Sequence, residues 1–208
     1  MKEEIIIIGY SGHAYVVCDI LEQAGAVVYG YGDSTEKALN PFNLVYIGNE
    51  REDAVLAAHF NYAYFVSIGE NKIRRRVFEN LQAKGLHFCN AFHPSASIAS
   101  KVVTGTATML GAGVKISPLV RIGTGVILNT GCIVEHECSI GDFVHIAPGT
   151  VLCGNVSVGE NTFIGANSVV KQDIKIGKDC IIGAGSVVIK DVPDHSIIAG
   201  NPAKSIKK

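Results

Sequence analysis

The sequence predicts a chain of two parts: an α/β domain over residues 1–90, then an all-β parallel β-helix with a C-terminal cap over residues 91–208. Three observations predict it. A strict period of six runs from Ile98 to Val192, and it matches neither the helical repeat of about 3.6 residues nor the strand repeat of about 2. Before residue 90, short apolar runs alternate with helix-length segments. The 208 residues include 23 glycines and no tryptophan, which suits a tightly turned, repetitive fold.

The elements follow in order. Glu4-Ile5-Ile6-Ile7-Ile8 is the apolar run of a central parallel strand, covered on both faces. Gly9-Tyr10-Ser11-Gly12-His13 comes next, and a helix is expected from Ala14 to about Ala24. Val27–Tyr31 reads as a second strand ending near Asp33, and Leu44–Ile47 as a third, followed by a helix from Glu50 to His59. Tyr62–Ile68 reads as a strand, Asn71–Lys84 as a helix and His87–Cys89 as a short return strand. Such alternation predicts a Rossmann-like sheet, with Ala91-Phe92-His93-Pro94 as the junction. A glycine-rich turn between first strand and first helix can present backbone N–H groups and a helix N-terminus to a phosphate. Here the turn is G-x-x-G, not G-x-G-x-x-G, which argues against NAD and for another phosphate. A plain strand–helix turn with Ser11 as cap is the alternative.

Read in sixes from Ile98, the first residue is aliphatic in fifteen of sixteen sixes, Thr104 being the exception. The fifth residue is always small or β-branched, as at Val102, Thr108, Cys138 and Ser168. Three sixes close one eighteen-residue coil of three flat walls and three corners, and coils stack at about the 4.8 Å spacing of neighbouring strands. First residues point inward and stack on their equivalents, while fifth residues face the narrow interior near a corner. Gly often follows the aliphatic residue, as at Gly111, Gly123, Gly141, Gly159 and Gly177, and is expected to serve corners of positive φ. Each buried aliphatic contributes about 1.5–3 kcal/mol before entropy costs, so the coils can hold together as a stack.

Composition removes several classes of function. Formal net charge is −1, and the terminal Lys204-Ser205-Ile206-Lys207-Lys208 reads as a solvated tail, so nucleic acid and anionic membrane are not expected partners. Ile5–Ile8 is too short for a signal peptide or a membrane span, which predicts a cytoplasmic protein. Of the six cysteines, Cys132, Cys138 and Cys180 occupy fifth-residue slots as small hydrophobes. Cys18 falls in the first helix, and Cys89 and Cys153 have no C-x-x-C partner, so neither disulfides nor a metal site are expected.

The hexapeptide period resembles that of the hexapeptide-repeat acyltransferases, whose prism is left-handed. The resemblance implies a left-handed parallel β-helix, a homotrimer, acetyl-CoA as co-substrate and active sites in clefts between neighbouring prisms. Together with Gly9–His13 and Ile68-Gly69-Glu70-Asn71-Lys72-Ile73-Arg74, the whole chain resembles the nucleotide-sugar acetyltransferases of the sialic-acid O-acetyltransferase and bacillosamine N-acetyltransferase group. That resemblance implies an N-terminal domain holding the UDP of a UDP-linked 4-amino-4,6-dideoxy sugar. Substrate contacts are then expected at Ser11, Gly12, His13, Asp33, Gly69, Asn71, Arg74 and Asn129. The group often has two adjacent acids after the second strand, whereas here Gly32 precedes Asp33. Gly200-Asn201-Pro202-Ala203-Lys204 resembles the segment that closes many such prisms, implying that Gly200, Pro202 and Lys204 border the adenine end of CoA. Gly165, Ala166, Gly183 and Ala184 would line its pantetheine arm, with His145 and Gly154 near the acetyl group.

Counting by eighteens stacks Gly154 on His136 and Asn155 on Glu137. Acetyl transfer to an amine needs a group to take the amine proton and a fixed donor for the developing oxyanion. A histidine suits the first task, a neighbouring carboxylate holds its tautomer, and a backbone N–H suits the second. The family motif maps the base to His136, its partner to Glu137, the donor to Gly154 and a second histidine to His145. O-acetylation of a sugar such as sialic acid is the nearest alternative. A γ-type carbonic anhydrase would need three converging histidines, and a non-catalytic sugar-nucleotide-binding protein would need none.

Overall fold

The structure, a computed structural model, describes residues 4–206. The chain divides into two compact units between Pro94 and Ser95. The first is a five-stranded parallel sheet of β1 (Glu4–Ile8), β2 (Val27–Gly32), β3 (Val45–Gly48), β4 (Ala63–Val66) and β5 (His87–Phe88) in the order β3-β2-β1-β4-β5. Its helices are α1 (Gly12–Gln23), α2 (Asp53–Ala58) and α3 (Asn71–Ala83). Ile6, Ile7 and Ile8 are at most 1% exposed, as the apolar run requires of a strand with two neighbours. The strand order reverses between β1 and β4, the place in such sheets where a ligand crevice opens at the strands' carboxyl ends. The turns after β1 and β4 lie at that switch point. Gly9, at φ +85°, makes the first turn, and a Cβ there would lie 2.8 Å from the Ile68 side chain.

The second unit is a left-handed β-helix of two-residue strands. Wall one stacks Ser97–Ile98, Lys115–Ile116, Ile133–Val134, Val151–Leu152, Val169–Val170 and Val187–Val188. Wall two runs from Val103–Thr104 to Lys175–Ile176, and wall three includes Ile127–Leu128, His145–Ile146, Phe163–Ile164 and Ile181–Ile182. Partners across each wall differ by eighteen residues, as in Ile133↔Val151 and His145↔Phe163. First-slot residues from Leu110 to Val188 are no more than 4% exposed.

Two details differ from the expectation. The glycines after the aliphatic residue do not serve positive φ. Positive φ falls two residues later, at every sixth residue from Lys101 to Gly185. The second-slot glycines are needed for space: a Cβ on Gly165 would lie 2.5 Å from the Ala184 backbone nitrogen of the next coil. Fifth-slot hydroxyls are also more than small fillers. Those of Thr108, Thr150, Thr162 and Ser168 each donate to the carbonyl fifteen residues on, at Gly123, Gly165, Gly177 and Gly183.

Among the described residues no helix is long and apolar enough to cross a membrane, and no group of three His, Cys, Asp or Glu side chains is placed to hold a metal ion. All six cysteines are free thiols. Burial pushes the Cys132 thiol up to about 12 and the Cys138 thiol up to about 11, so both stay protonated.

Candidate active site

His136 lies at the corner between walls one and two. Its carbonyl accepts the Asn155 N–H at 2.8 Å, which holds this corner in register with the coil above. The ring lies across Gly154: a Cβ at that glycine would stand 2.6 Å from His136 Cε1 and 2.7 Å from Nε2. Only glycine leaves room for the imidazole there. Glu137 Oε2 is 3.0 Å from His136 Nδ1. A carboxylate only accepts, so Nδ1 carries a proton, and in the neutral ring Nε2 then keeps the lone pair. Glu137 reaches this position from a backbone at φ +64°, a strained region for a side chain of its type. The Gly154 N–H has no acceptor among the described residues, whereas the third-slot N–H groups of Thr124 and Lys178 are capped by Asp142 and Asp194. A cavity of about 510 Å³ opens beside Glu137, lined by Lys101, Arg121, Ser139 and Asn155 among others.

His145 lies on wall three, across the prism from that corner. It is 9% exposed and meets the edge of Phe163 at 5.2 Å. Its Nε2 is 3.2 Å from Asn129 Nδ2. Thr130 N–H donates to Asn129 Oδ1 at 2.8 Å, which turns the amide nitrogen toward the ring and makes His145 Nε2 the acceptor. Thus one chain brings His136, Glu137 and Gly154 together and keeps His145 and Asn129 as a separate pair.

In the first unit, Ser11 occupies the N-cap position of α1, but its side chain makes no capping hydrogen bond. Gly12 has open space where a Cβ would be. His13 is held neutral: burial, and then the charge of Arg74, lower it to about 4. Arg74 is 2% exposed and donates to the carbonyls of Ile68 and Gly69 and to Asn71 Oδ1. Its guanidinium and the Asn71 amide thereby brace the turn after β4 from inside, and Gly69 lies against the His13 ring, 3.8 Å from a Cβ placed at the glycine. Asp33 accepts from Tyr10 N–H, Ser34 and Lys37. Burial works to raise its pKa, yet these donors, led by Lys37, bring it below the usual value.

At the far end, Gly200, at φ +102°, turns the chain so that Lys204–Ser205 pairs antiparallel with Ile198–Ala199 and covers the end of wall three. Gly183 is required by packing, since its Cβ would lie 2.7 Å from that of Ala199.

Residues 4–81 match the family model of the PglD N-terminal domain, and residues 137–172 and 155–190 match that of the bacterial transferase hexapeptide repeats. Among solved structures, a histidine-to-asparagine variant of perosamine N-acetyltransferase from Caulobacter crescentus, in complex with CoA and GDP-perosamine, is 34% identical to this chain. The match covers 99% of this chain and 97% of that one with a TM-score of 0.93. The acetyltransferase domain of PglB from Neisseria gonorrhoeae, in complex with acetyl coenzyme A, is 30% identical over 99% of this chain and 100% of that one, with a TM-score of 0.92. This chain belongs to the hexapeptide-repeat sugar N-acetyltransferases. Comparison with curated protein sequences returned no match.

Two features of this sugar N-acetyltransferase lie outside what its sequence led us to expect. Phe163 walls His145, and the count of eighteen from His145 is the signal that finds it. Glu135, the other acid of Glu-His-Glu, does not face the imidazole but accepts from Ser117 Oγ, one coil below. That contact too is eighteen residues apart.

Proposed function

We propose that this chain transfers the acetyl group of acetyl-CoA to the amino group of a 4-amino-4,6-dideoxy sugar linked to a nucleoside diphosphate, with His136 as general base. The observation that carries this reading is the niche of His136, Glu137 and Gly154. With Nδ1–H held by Glu137, Nε2 accepts the amine proton as the nitrogen attacks the thioester carbonyl. The Gly154 N–H stabilises the oxyanion. Collapse forms the amide, breaks the C–S bond and releases CoA thiolate, which takes the proton back from His136. No acyl-enzyme is required and no metal takes part.

The uncapped start of α1, with Ser11, Gly12 and His13, receives the diphosphate. UDP, expected from the sequence, and GDP, carried by the perosamine complex, share that group. His13 is neutral, so it serves as a hydrogen-bonding group rather than a cation. Arg74 and Asn71 position the turn at Gly69 from behind. Gly165, Ala166, Gly183 and Ala184 border the pantetheine arm, and Gly200, Pro202 and Lys204 the adenine end.

A homotrimer supplies the part of the site one chain lacks. Of the six outward residues of wall one, Ile133, Val151, Val169 and Val187 form an apolar ladder beyond Ser97 and Lys115, whereas those of wall two include Arg121, Ser139, Ser157 and Lys175. Packing wall one of three copies around a shared axis buries the ladder. It also sets the His136 corner of one copy against the next copy's wall-three edge, where the Asn129–His145 pair lies. A closed ring with unlike patches in contact is the geometry of a cyclic trimer.

Thiol release from acetyl-CoA, with UDP- and GDP-linked 4-amino-4,6-dideoxy sugars set against free sialic acid, tests the reading. His136→Ala is expected to lower kcat by about 10²–10⁴-fold with KM for both substrates nearly unchanged. Unaltered turnover in that variant, or acetylation of sialic acid alone, would overturn it.

A further inference from the structure

Two carboxylates lie at the carboxyl ends of β2 and β3, and they differ in what they bind. Asp33 is filled: Oδ2 accepts Tyr10 N–H at 3.0 Å, and Oδ1 accepts Ser34 N–H at 2.7 Å, the Ser34 hydroxyl at 3.1 Å and the Lys37 ammonium at 2.9 Å. A carboxylate has about four acceptor positions, so the protein itself uses what Asp33 offers. Glu50, two residues beyond the end of β3, is the opposite case. Its side chain is only 13% exposed, Oε2 is buried with no donor, and Oε1 stands 3.8 Å from Arg51 Nε, beyond hydrogen-bond reach. No described residue donates a hydrogen bond to it. Removing a carboxylate from water without giving it a donor is costly, and this cost stands beside a cavity.

That cavity, of about 570 Å³, lies between the β3–α2 loop and α3 and is lined by Glu50, Arg51, Arg76 and Asn80 among others. Gly32 borders the acid: a Cβ there would meet Glu50 Cβ at 3.6 Å, an ordinary contact, and it is Ile8 Cδ1, at 2.9 Å, that excludes a side chain. The position before Asp33 thus lies against the Glu50 side chain from the neighbouring strand's loop. The terminal torsion of a glutamate is soft, so either oxygen can turn to meet a ligand.

We propose that this cavity is the nucleobase pocket and that Glu50 selects guanine, so that GDP carries the amino sugar. The proposal rests on the reading of the first unit as a nucleotide-sugar holder and fixes its base. Guanine presents N1–H and N2–H₂ side by side, a pair of donors that a carboxylate accepts together, and its O6 and N7 accept from a guanidinium. Arg51, Arg76 and Asn80 supply donors to the same cavity. Uracil presents one N–H between two carbonyl oxygens, and a carboxylate facing that edge meets repulsion from both. Ribose hydroxyls would satisfy the acid but give no use to the guanidinium groups.

Calorimetric titration of the full chain with GDP and with UDP, on wild type and Glu50→Gln, tests this. Wild type should bind GDP at least about tenfold more tightly than UDP, and Glu50→Gln should weaken GDP by at least about tenfold while leaving UDP and the KM for acetyl-CoA unchanged. Since the acid has no hydrogen-bond donor without ligand, the ligand-free variant should melt about 2–4 °C higher, an effect opposite to that of losing a structural contact. Unchanged GDP affinity overturns the proposal. Equal loss for both nucleotides moves Glu50 to the ribose and overturns the guanine assignment, and a lower melting temperature with loss of all binding makes the residue structural. Wild type that binds neither nucleotide removes the nucleotide-sugar reading itself, whereas GDP binding indifferent to Glu50 removes only this pocket.

Discussion

The two units place their functional groups by different means. In the β-helix a residue's neighbours are fixed by addition: eighteen carries His136 to Gly154, His145 to Phe163 and Ser117 to Glu135. In the α/β unit neighbours are set by turns that no period governs. Residues far apart in sequence decide whether a charge faces a ligand or the interior. Arg74 has the charge of a phosphate binder yet is 2% exposed, turned onto the carbonyls of Ile68 and Gly69. The comparison teaches that repetition makes position predictable and leaves chemistry open, while the α/β turns do the reverse. Gly-Tyr-Ser-Gly-His suggests a strand–helix turn fit for an anion without saying which side chains would reach it.

The sharpest way to break this comparison is to change the two kinds of glycine in the β-helix. A methyl at Gly154 would stand 2.6 Å from a side-chain ring, but one at Gly159 would stand 2.5 Å from the Lys178 backbone nitrogen. The ring can move and the backbone cannot. Gly154→Ala is therefore expected to keep its melting temperature and lose at least about 10²-fold in kcat, since a displacement near 1 Å has that cost. Gly159→Ala should lower stability by about 1–3 kcal/mol while the folded fraction retains its kcat. Melting curves and steady-state kinetics on both variants check the pair. Equal effects on both measurements would show that register does not separate site from scaffold.

A second test bears on the α/β unit alone. His13 is lowered to about 4 in the fold, below the 6.5 usual for a histidine, because burial and then Arg74 disfavour its charged form. Between those values the unfolded chain binds more protons, so stability is greatest above pH of about 6.5 and falls as pH drops toward about 4. The loss is on the order of 2–3 kcal/mol, and His13→Gln should flatten that part of the profile. Denaturant unfolding from pH 7 downward, read by a probe in the first unit, checks it. An identical slope in the variant would mean that another group carries the acid sensitivity.

Most of the architecture is legible in the sequence because one contact rule repeats through it. The sixfold frame marks which residues are buried from Leu110 to Val188, though not Ile98 at the open end of the stack, and Glu4–Ile8 marks the central strand. The niche at His136 is legible for the same reason, as register alone brings Gly154 beneath the ring. What the frame hides is where backbone strain and bare acceptors fall. Positive φ at the fourth slot is occupied by Lys101, Leu119 and Glu137 as readily as by glycine, so composition does not reveal it. The lack of a hydrogen-bond donor at Glu50 is equally hidden. It depends on how the β3–α2 loop turns the acid away from the donors around it, and no periodic pattern reports that.

The smallest expected effect concerns the fifth slot, where valine and threonine look interchangeable by size. Thr162 is fully buried, donates to the Gly177 carbonyl at 2.7 Å and accepts the Cys180 N–H at 3.0 Å. The pairing can be read in advance, because Thr108, Thr150, Thr162 and Ser168 each precede a glycine by fifteen residues. It is not obligatory: Val126 and Val144 precede Gly141 and Gly159 by the same interval and offer no hydroxyl. A stack that accepts bare carbonyls at those coils should accept one more at modest cost. Thr162→Val is accordingly expected to lose about 1 kcal/mol, or about 2–4 °C in melting temperature, with kcat unchanged, while Thr162→Ser retains most of the stability. A loss near that of Gly159→Ala would show that the hydroxyl ladder, rather than aliphatic stacking alone, keeps the coils in register.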